Sequence, residues 1–424
     1  MTVDNANSST QEDHPLLANL GPGLIAGAAD DDPSGIGTYS QIGAQFGYSM
    51  AWTMVMALPL LISIQSICAR IGATTGRGIA HNLRRHYSPV LLRTMVTLLV
   101  VANVINLGAD LGAMAAALAL LLPGPVHLFV VLFGLASILA EVLVSYERYA
   151  SILKWTTLSL FSYIAVVLVA DVNWADAVRG LTVPTFALDN DHTMALVAIF
   201  GTTISPYLFF WQSGQEVEER KRRHAKPLCI TPREAGPELR RIRNDTLFGM
   251  GFSNITAMSI MMATAATLHA NGMTDIQSAQ QAASALRPIA GEFAFALFAL
   301  GIIGTGLLAV PVLAGSAAYA VSETFKWTEG LDRKPREAKA FYAVIALATL
   351  GGVALNFTGI DPMRALYWSA VINGLLAPPL MIVTMMIARN PRIMGRLTIP
   401  GSLAIGGWLS TAVMSGVALL FLFG

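Results

Sequence analysis

Charge is the first scarcity in this chain: Lys, Arg, Asp and Glu make up 12% of its 424 residues, while 54% are hydrophobic. A soluble core of this size needs far less apolar surface, so the composition predicts a polytopic membrane protein whose main surroundings are the lipid bilayer. The formal net charge of +1 gives no reason to expect a nucleic-acid partner. Cysteine is nearly absent. Cys68 and Cys229 both fall on the side expected to face the cytoplasm, and no disulfide framework follows from them. The first twenty residues are polar and acidic (Asp4, Glu12, Asp13), without a basic start or a short apolar run, so no cleaved signal peptide is expected. Histidine is missing from the middle of every apolar segment. His14, His81, His86, His127, His192, His224 and His269 lie in loops or at segment ends, which leaves none for a mid-membrane proton relay. No nucleophile–base pair, glycine-rich phosphate loop or zinc-spaced His/Cys set occurs, so neither enzymatic activity nor a cofactor is expected.

What is plentiful is apolar sequence in runs long enough to cross a bilayer. Runs of roughly 20 residues bounded by charge or Pro/Gly clusters divide the chain into about 11 transmembrane helices. They cover 21–45, 48–70, 90–122, 127–146, 150–170, 193–218, 245–269, 290–323, 338–357, 364–388 and 401–423. With a cytoplasmic N-terminal tail over 1–20, 24 of the 27 Lys and Arg fall on inner loops, leaving Arg179, Arg287 and Arg364 outside. Dropping one span would move half of these basic loops to the outer face, so the charge asymmetry supports the segment count. Segment one then runs inward to outward and segment six outward to inward. Residues 21–170 (segments one to five) and 193–388 (segments six to ten) are therefore candidates for an inverted repeat, with 401–423 as an additional eleventh span.

Two segments carry polar breaks in corresponding places. In the first, Ala28-Ala29-Asp30-Asp31-Asp32-Pro33-Ser34-Gly35 puts three adjacent carboxylates and a proline inside an apolar run. In the sixth, Gly201-Thr202-Thr203-Ile204-Ser205-Pro206-Tyr207 is polar and proline-interrupted. Each proline removes a backbone donor, so the carbonyls of Ala29 and Thr202 are expected to be released from helical bonding. Released carbonyls beside a carboxylate suit a hard cation. Asp32 is the side chain expected to face the ion, with Ser205 adding a hydroxyl or holding a water. The plain alternative, two ordinary kinks with snorkelling aspartates, fits poorly with three carboxylates near mid-segment. Asp30 and Asp31 would be roughly 100° apart if their turn stayed helical. Asp110, mid-way along segment three, is a second buried acid that accepts protons, lines the exit route or bonds a helix neighbour.

Other charged and polar residues suggest less. Glu141, Glu292 and Glu323 lie near segment ends, where snorkelling is the default. The run Glu216-Val217-Glu218-Glu219-Arg220-Lys221-Arg222-Arg223 reads as a solvated helix end leading into a basic loop. Gly301, Gly304, Thr305, Gly306, Gly315 and Ser316 on segment eight predict close helix packing. Methionines are frequent, but none pairs with a break, so a soft copper-type site has little support.

The stretches Gly21-Pro22-Gly23-Leu24, Gln41 to Tyr48 and Gln65 to Arg77, together with the break between them, resemble the Nramp family of divalent-metal transporters. The resemblance implies a LeuT-type fold in which unwound parts of helices one and six hold the metal. The family's first signature, Asp-Pro-Gly-Asn, aligns with Asp32, Pro33, Ser34 and Gly35, which keeps the aspartate and loses the asparagine. Its second, Met-Pro-His, aligns with Ser205, Pro206 and Tyr207, so a hydroxyl replaces the sulfur ligand. Asp110 matches the family's acid on helix three, but the glutamate expected three residues later is Ala113. A further helix-six histidine is Gln212, and Asp30 and Asp31 stand where the family usually has uncharged residues.

These changes remove soft and amide ligands and add carboxylates, which favours an all-oxygen site for a partly hydrated cation. Mg²⁺ dehydrates reluctantly and prefers octahedral oxygen, and Mn²⁺ is accepted by the same donors. The expected function is transport of Mg²⁺ and/or Mn²⁺ as the divalent metal substrate by alternating access, without proton coupling. This is most like the divergent Nramp-related magnesium transporters. Asp32, the Ala29 and Thr202 carbonyls and Ser205 would hold the ion, and Asp30, Asp31 and Asp110 would supply attracting field. Gly35 would leave room for the hydration shell, and Tyr207 and Gln212 would line the pathway. The first alternative is a proton-coupled Mn²⁺/Fe²⁺ symporter using Asp32 and Asp110. The second is an amino-acid or organic-cation carrier on the same fold. Three aspartates at the break oppose it, because a substrate carboxylate calls for a helix N-terminus free of acids. The protein is expected to be a monomer in the inner (plasma) membrane.

Overall fold

The computed structural model describes residues 21–144, 160–185, 187 and 189–423. The expected tail over 1–20, the beginning of segment five, Arg148 and Lys154 lie outside the described residues. Among the described residues the chain is helical, without a strand. The first apolar segment is two short helices, α1 (Pro22–Asp30) and α2 (Pro33–Phe46). Helices α3 (Trp52–Thr75), the short α4 (Ile79–His86), α5 (Pro89–Ala119) and α6 (Val126–Leu143) follow. The described end of segment five is α7 (Phe161–Val169), and α8 (Trp174–Thr182) lies in the next connection. The sixth segment is again split, into α9 (Asn190–Thr203) and α10 (Pro206–Arg222). The long helices that follow are α11 (Ala235–Thr267), α12 (Ala294–Phe325), α13 (Lys339–Leu355), α14 (Pro362–Ala388) and α15 (Gly401–Phe423), with short helical turns between them.

Nine helical stretches among the described residues are long and apolar enough to cross a membrane. The two expected spans missing from that set have physical reasons. Segment one is divided into helices of 9 and 14 residues, and segment five is only partly described. Start signals are local: Ser88 accepts a bond from Leu91 N at the head of α5, Asp189 from His192 N at α9, and Asp361 from Met363 N and Arg364 N at α14. Each satisfies an orphan backbone donor. Helix α11 begins ten residues before the expected start of segment seven. Its polar first turns are held by Arg241, which binds Glu238 on its own helix (3.0 Å) and Glu216 on α10 (2.6 Å).

Close packing positions the breaks. A Cβ at Gly27 would lie 2.2 Å from the Gly249 carbonyl oxygen, and one at Gly249 would lie 2.2 Å from that of Gly23, so α1 and α11 touch backbone to backbone. On α12, a Cβ at Gly315 would reach the Trp211 ring and one at Gly306 would reach Met114 and Pro33, which places this glycine-rich helix against both broken segments. Helix α5 packs between α12, α13 and α14, and α10 packs along α3.

The basic loops gather on one face of the molecule, and there the reading of two acidic regions changes. Glu216, Glu218 and Arg220 are buried, not solvated. Glu216 pairs with Arg241, Glu218 accepts bonds from Leu331 N (2.9 Å) and the Tyr319 hydroxyl, and Arg220 pairs with Glu234 (3.0 Å). Glu323 does not snorkel: it is buried and accepts from Gly78 N (2.8 Å) and His81 N (3.0 Å), holding the head of α4. Glu141 is also buried, and neither carboxylate oxygen has a partner among the described residues. In each case a neighbouring helix or loop, distant in sequence, covers a group that its own segment would leave exposed.

Candidate functional site

Each break has the geometry that its proline imposes. Helix α1 ends at Asp30. Asp31 leaves the helical region (φ −82°, ψ 48°), and Asp32 is extended (φ −68°, ψ 168°) as the N-cap of α2. In the sixth segment, Ile204 (φ −114°, ψ 62°) and Ser205 (φ −74°, ψ 129°) separate α9 from α10. The donors removed by Pro33 and Pro206 are those that would have bonded the Ala29 and Thr202 carbonyls. Side-chain hydroxyls replace them: Tyr207 donates to the Ala29 carbonyl at 3.0 Å, and Ser205 donates to the Thr202 carbonyl at 2.7 Å. Each carbonyl keeps a second lone pair, and the Ser205 oxygen keeps its acceptor capacity.

Asp32 sits between the two broken segments and is 2% exposed. Its Oδ1 accepts from Gly35 N (2.7 Å), and its Oδ2 accepts from Asn106 Nδ2 (2.9 Å) and, at 3.4 Å, from the Tyr207 hydroxyl. A carboxylate offers about four lone-pair positions. Gly35 N, Asn106 and the Tyr207 proton shared with the Ala29 carbonyl draw on these, and the Ser34 N–H also bears on the carboxylate. Asp110 accepts from Ser34 N (3.1 Å) and from the same Asn106 amide (3.3 Å). Of the roles open to Asp110, the geometry realises a bond to a helix neighbour, and that neighbour is the first turn of α2. Both acids thus stand at the N-terminus of α2, where its unpaired N–H groups and positive dipole end favour negative charge.

Asp30 and Asp31 turn to a different neighbour. The Ser253 hydroxyl on α11 lies 2.8 Å from Asp30 Oδ2 and 3.2 Å from Asp31 Oδ1. The two meet one hydroxyl because the turn does not stay helical at Asp31. Asp30 Oδ1 and Asp31 Oδ2 are buried without a partner. Gly35 opens no space in this conformation: a Cβ there would lie 3.3 Å from Thr202 Oγ1 and 3.4 Å from the Asp30 carbonyl oxygen. Gln212 is fully buried with both amide atoms unpartnered, six residues along α10 from Pro206, or ~9 Å by helical rise, and is not bonded to the Asp32 cluster.

Sequence reasoning passed over the residue that joins the two acids. Asn106 donates to Asp32 and Asp110 and accepts from Asn373 Nδ2 of α14 at 3.0 Å. Two asparagines one turn apart, Asn103 and Asn106, within an otherwise apolar helix were the available signal. Ser34 and Ser369 also meet here (2.9 Å), tying α2 to α14. Among the described residues no three His, Cys, Asp or Glu side chains are arranged to hold a metal. A cation beside Asp32 would draw its remaining ligands from carbonyl, hydroxyl and water oxygens. A cavity of about 150 Å³ lined by Gly37, Gln41, Asp275, Arg364 and Tyr367 lies on the side of α2 away from the basic loops. Leu366, against Gly37, lies between that cavity and Ser34.

Comparison with known proteins agrees with this layout. The divalent metal cation transporter MntH of Klebsiella pneumoniae strain 342 is 26% identical over 422 residues, covering 96% of this chain and 94% of its own length. MntH of Mycobacterium tuberculosis H37Rv is 25% identical over 412 residues (95% and 91%). Among solved structures, the Eremococcus coleocola manganese transporter bound to an aromatic bis-isothiourea compound superposes with a TM-score of 0.74 at 17% identity, covering 98% of this chain and 90% of that one. Mhp1, a nucleobase-cation-symport-1 transporter, superposes with a TM-score of 0.56 at 14% identity (95% and 91%). The first and sixth segments are unwound as the LeuT-type fold requires. The model of the natural resistance-associated macrophage protein-like (Nramp) family matches residues 23–424, and the chain belongs to that family.

Proposed function

We propose that this protein moves divalent metal cations across a membrane by alternating access, with Asp32 as the side chain that meets the ion. The observation that carries the reading is a buried carboxylate at a paired helix break, with the Ala29 and Thr202 carbonyls and the Ser205 hydroxyl at the two breaks. Relatives matched along nearly the full chain are named divalent metal cation transporters, and a solved neighbour is a manganese transporter. Asp32, the Ala29 and Thr202 carbonyls and Ser205 are the proposed ligands, completed by water. With neither sulfur nor imidazole at the break, the donor set suits Mg²⁺ and Mn²⁺, the former keeping part of its hydration shell. Residues 21–170 and 193–388 act as the inverted halves and 401–423 as an appended span. The basic face is cytoplasmic, the N-terminus lies inside, the membrane is the inner one, and the monomer is the working unit.

A second reading, a proton-coupled Mn²⁺/Fe²⁺ symporter, is favoured by one observation: Asn106 joins the Asp32 and Asp110 carboxylates through a single amide. Purified protein in liposomes separates the two. Mg²⁺ uptake that disappears in Asp32→Ala, ignores an imposed pH gradient and carries no protons supports the uncoupled carrier. Mn²⁺ uptake accompanied by proton entry, with Mg²⁺ inert, refutes it in favour of the symporter. Absence of flux for either ion refutes both.

A further inference from the structure

On the face that gathers the basic loops, a cavity of about 530 Å³ opens between the inner ends of α3 and α10, helix α4 and the segment around Arg392. That volume falls within the roughly 300–1,000 Å³ range of small-molecule sites. Its lining includes Arg77, Arg85, Arg220, Lys221 and Arg392, together with His81 and His86, and contains no aspartate or glutamate.

A bias of inner loops toward Lys and Arg would by itself explain basic residues here. It does not explain why five of them converge on one concave cavity with no acid in its lining. Outside the cavity some cations of the same face are matched with acids, Arg222 and Arg223 with Glu219, Arg241 with Glu216 and Glu238, and Arg333 with Glu337, and others, such as Arg240 and Arg243, form no ion pair among the described residues. In the cavity wall only Arg220 is matched, by Glu234 and Glu238. Arg77, Arg85, Lys221 and Arg392 form no ion pair among the described residues, and they come from three separate stretches of chain. Glu329, outside the lining, offsets part of the charge of Arg77 and Lys221. His81 reports the resulting field: partial burial and the nearby Arg77, Arg84, Arg85 and His86 lower its pKa to about 4. It is therefore a neutral donor or acceptor at physiological pH.

We infer that this cavity is a binding site for a multiply charged phosphate-bearing anion, held by Arg77, Arg85, Lys221 and Arg392. Guanidinium groups match phosphate oxygens in fork geometry and a lysine adds a point charge. The site is separate from the Asp32 cluster, and its existence does not depend on which cation is carried. Because it is walled by α10, one of the two broken helices, together with α3, α4 and the Arg392 segment, an occupant bridges elements that include part of the ion site.

Cys229 lines the same cavity and is exposed, whereas Cys68 is buried in α3, so alkylation of Cys229 is a direct readout. The full-length protein in phosphatidylcholine nanodiscs, without divalent metal, is treated with a small maleimide in the presence of tripolyphosphate or of sulfate at equal ionic strength. Tripolyphosphate at about ten times its Kd should slow Cys229 alkylation about tenfold while sulfate does not. Arg85→Gln combined with Lys221→Gln should abolish this protection. Protection arising instead from phosphatidylglycerol in the disc, also lost in the double variant, identifies a lipid headgroup as the source of the same chemistry. Equilibrium dialysis of tripolyphosphate against the unmodified protein keeps the test independent of how well the variant folds. Equal protection by sulfate, protection surviving the double variant, or no protection and no binding from either source would overturn the inference.

Discussion

Replacing Asn106 by leucine, similar in size but without polar atoms, tests whether the two acids work through one amide. In the folded protein Asn106 spends one N–H on Asp32 and one on Asp110 and uses its oxygen for Asn373. Leucine would leave Asp110 Oδ2 without a donor, and Asp32 Oδ2 with only the 3.4 Å contact to Tyr207. The amide bonds Oδ2 while Gly35 N bonds Oδ1, so it holds one side of the carboxylate in place. A hydrogen bond to a charged group contributes about 1.5–3 kcal/mol. If that stabilisation is lost from the ion-bound state, affinity falls roughly 10- to 150-fold, at tenfold per 1.4 kcal/mol. Calorimetric titration of the purified protein with Mn²⁺ and initial rates in liposomes should both show this weakening, with the protein still folded. Affinity in Asn106→Leu within about twofold of the parent, under conditions where Asp32→Asn binds nothing, would refute the role assigned to Asn106.

Three other outcomes follow from the same structure. Gly249→Val should prevent accumulation of folded protein, because its Cβ alone would lie 2.2 Å from the Gly23 carbonyl oxygen; fluorescence-detected size exclusion yielding a normal monodisperse peak would contradict the backbone contact of α1 and α11. Asp245→Ala removes the acceptor for Gly23 N (2.7 Å) and Leu24 N (3.2 Å) at the head of α1, and loss of an N-terminal acceptor costs about 1 kcal/mol. A lowered Tm would register the loosened end, and an unchanged Tm would oppose it. His81 is neutral in the folded protein down to pH about 4 but titrates near 6.5 when unfolded, so the unfolded state binds the extra proton between these values. Stability contributed by His81 is therefore present above pH 6.5 and lost as pH falls toward 4; the fall in Tm from pH 7 to pH 4.5 should be smaller in His81→Gln than in the parent, and an equal fall would reject the assignment.

Much of this protein was legible from local sequence. Apolar run length placed the helices to within a few residues where the ends were sharp, as at Pro362–Ala388 and Gly401–Phe423. The two breaks were equally legible, since a proline takes away a specific backbone bond whatever surrounds it. Periodicity and charge were poorer guides at helix ends. The acidic run from Glu216 and the carboxylate of Glu323 looked solvated, yet Arg241, Tyr319 and the head of α4 bury them.

Apart from the Asp32 cap on Gly35, the partners of the acids were decided by tertiary structure. Asp30, Asp31 and Asp32 are consecutive, but the first two turn to Ser253, more than 220 residues away, and the third to Asn106, 74 residues away. Pro33 marks Asp32 as the cap of α2, but nothing local sends Asp30 and Asp31 to Ser253. Composition and prolines determined that this chain crosses a membrane and where its helices must break, because hydropathy and backbone donors are properties of each residue. Which carboxylate faces the gap between the breaks depended on hydroxyls and amides that other helices deliver, because in a dry interior a polar side chain settles wherever a partner can be reached.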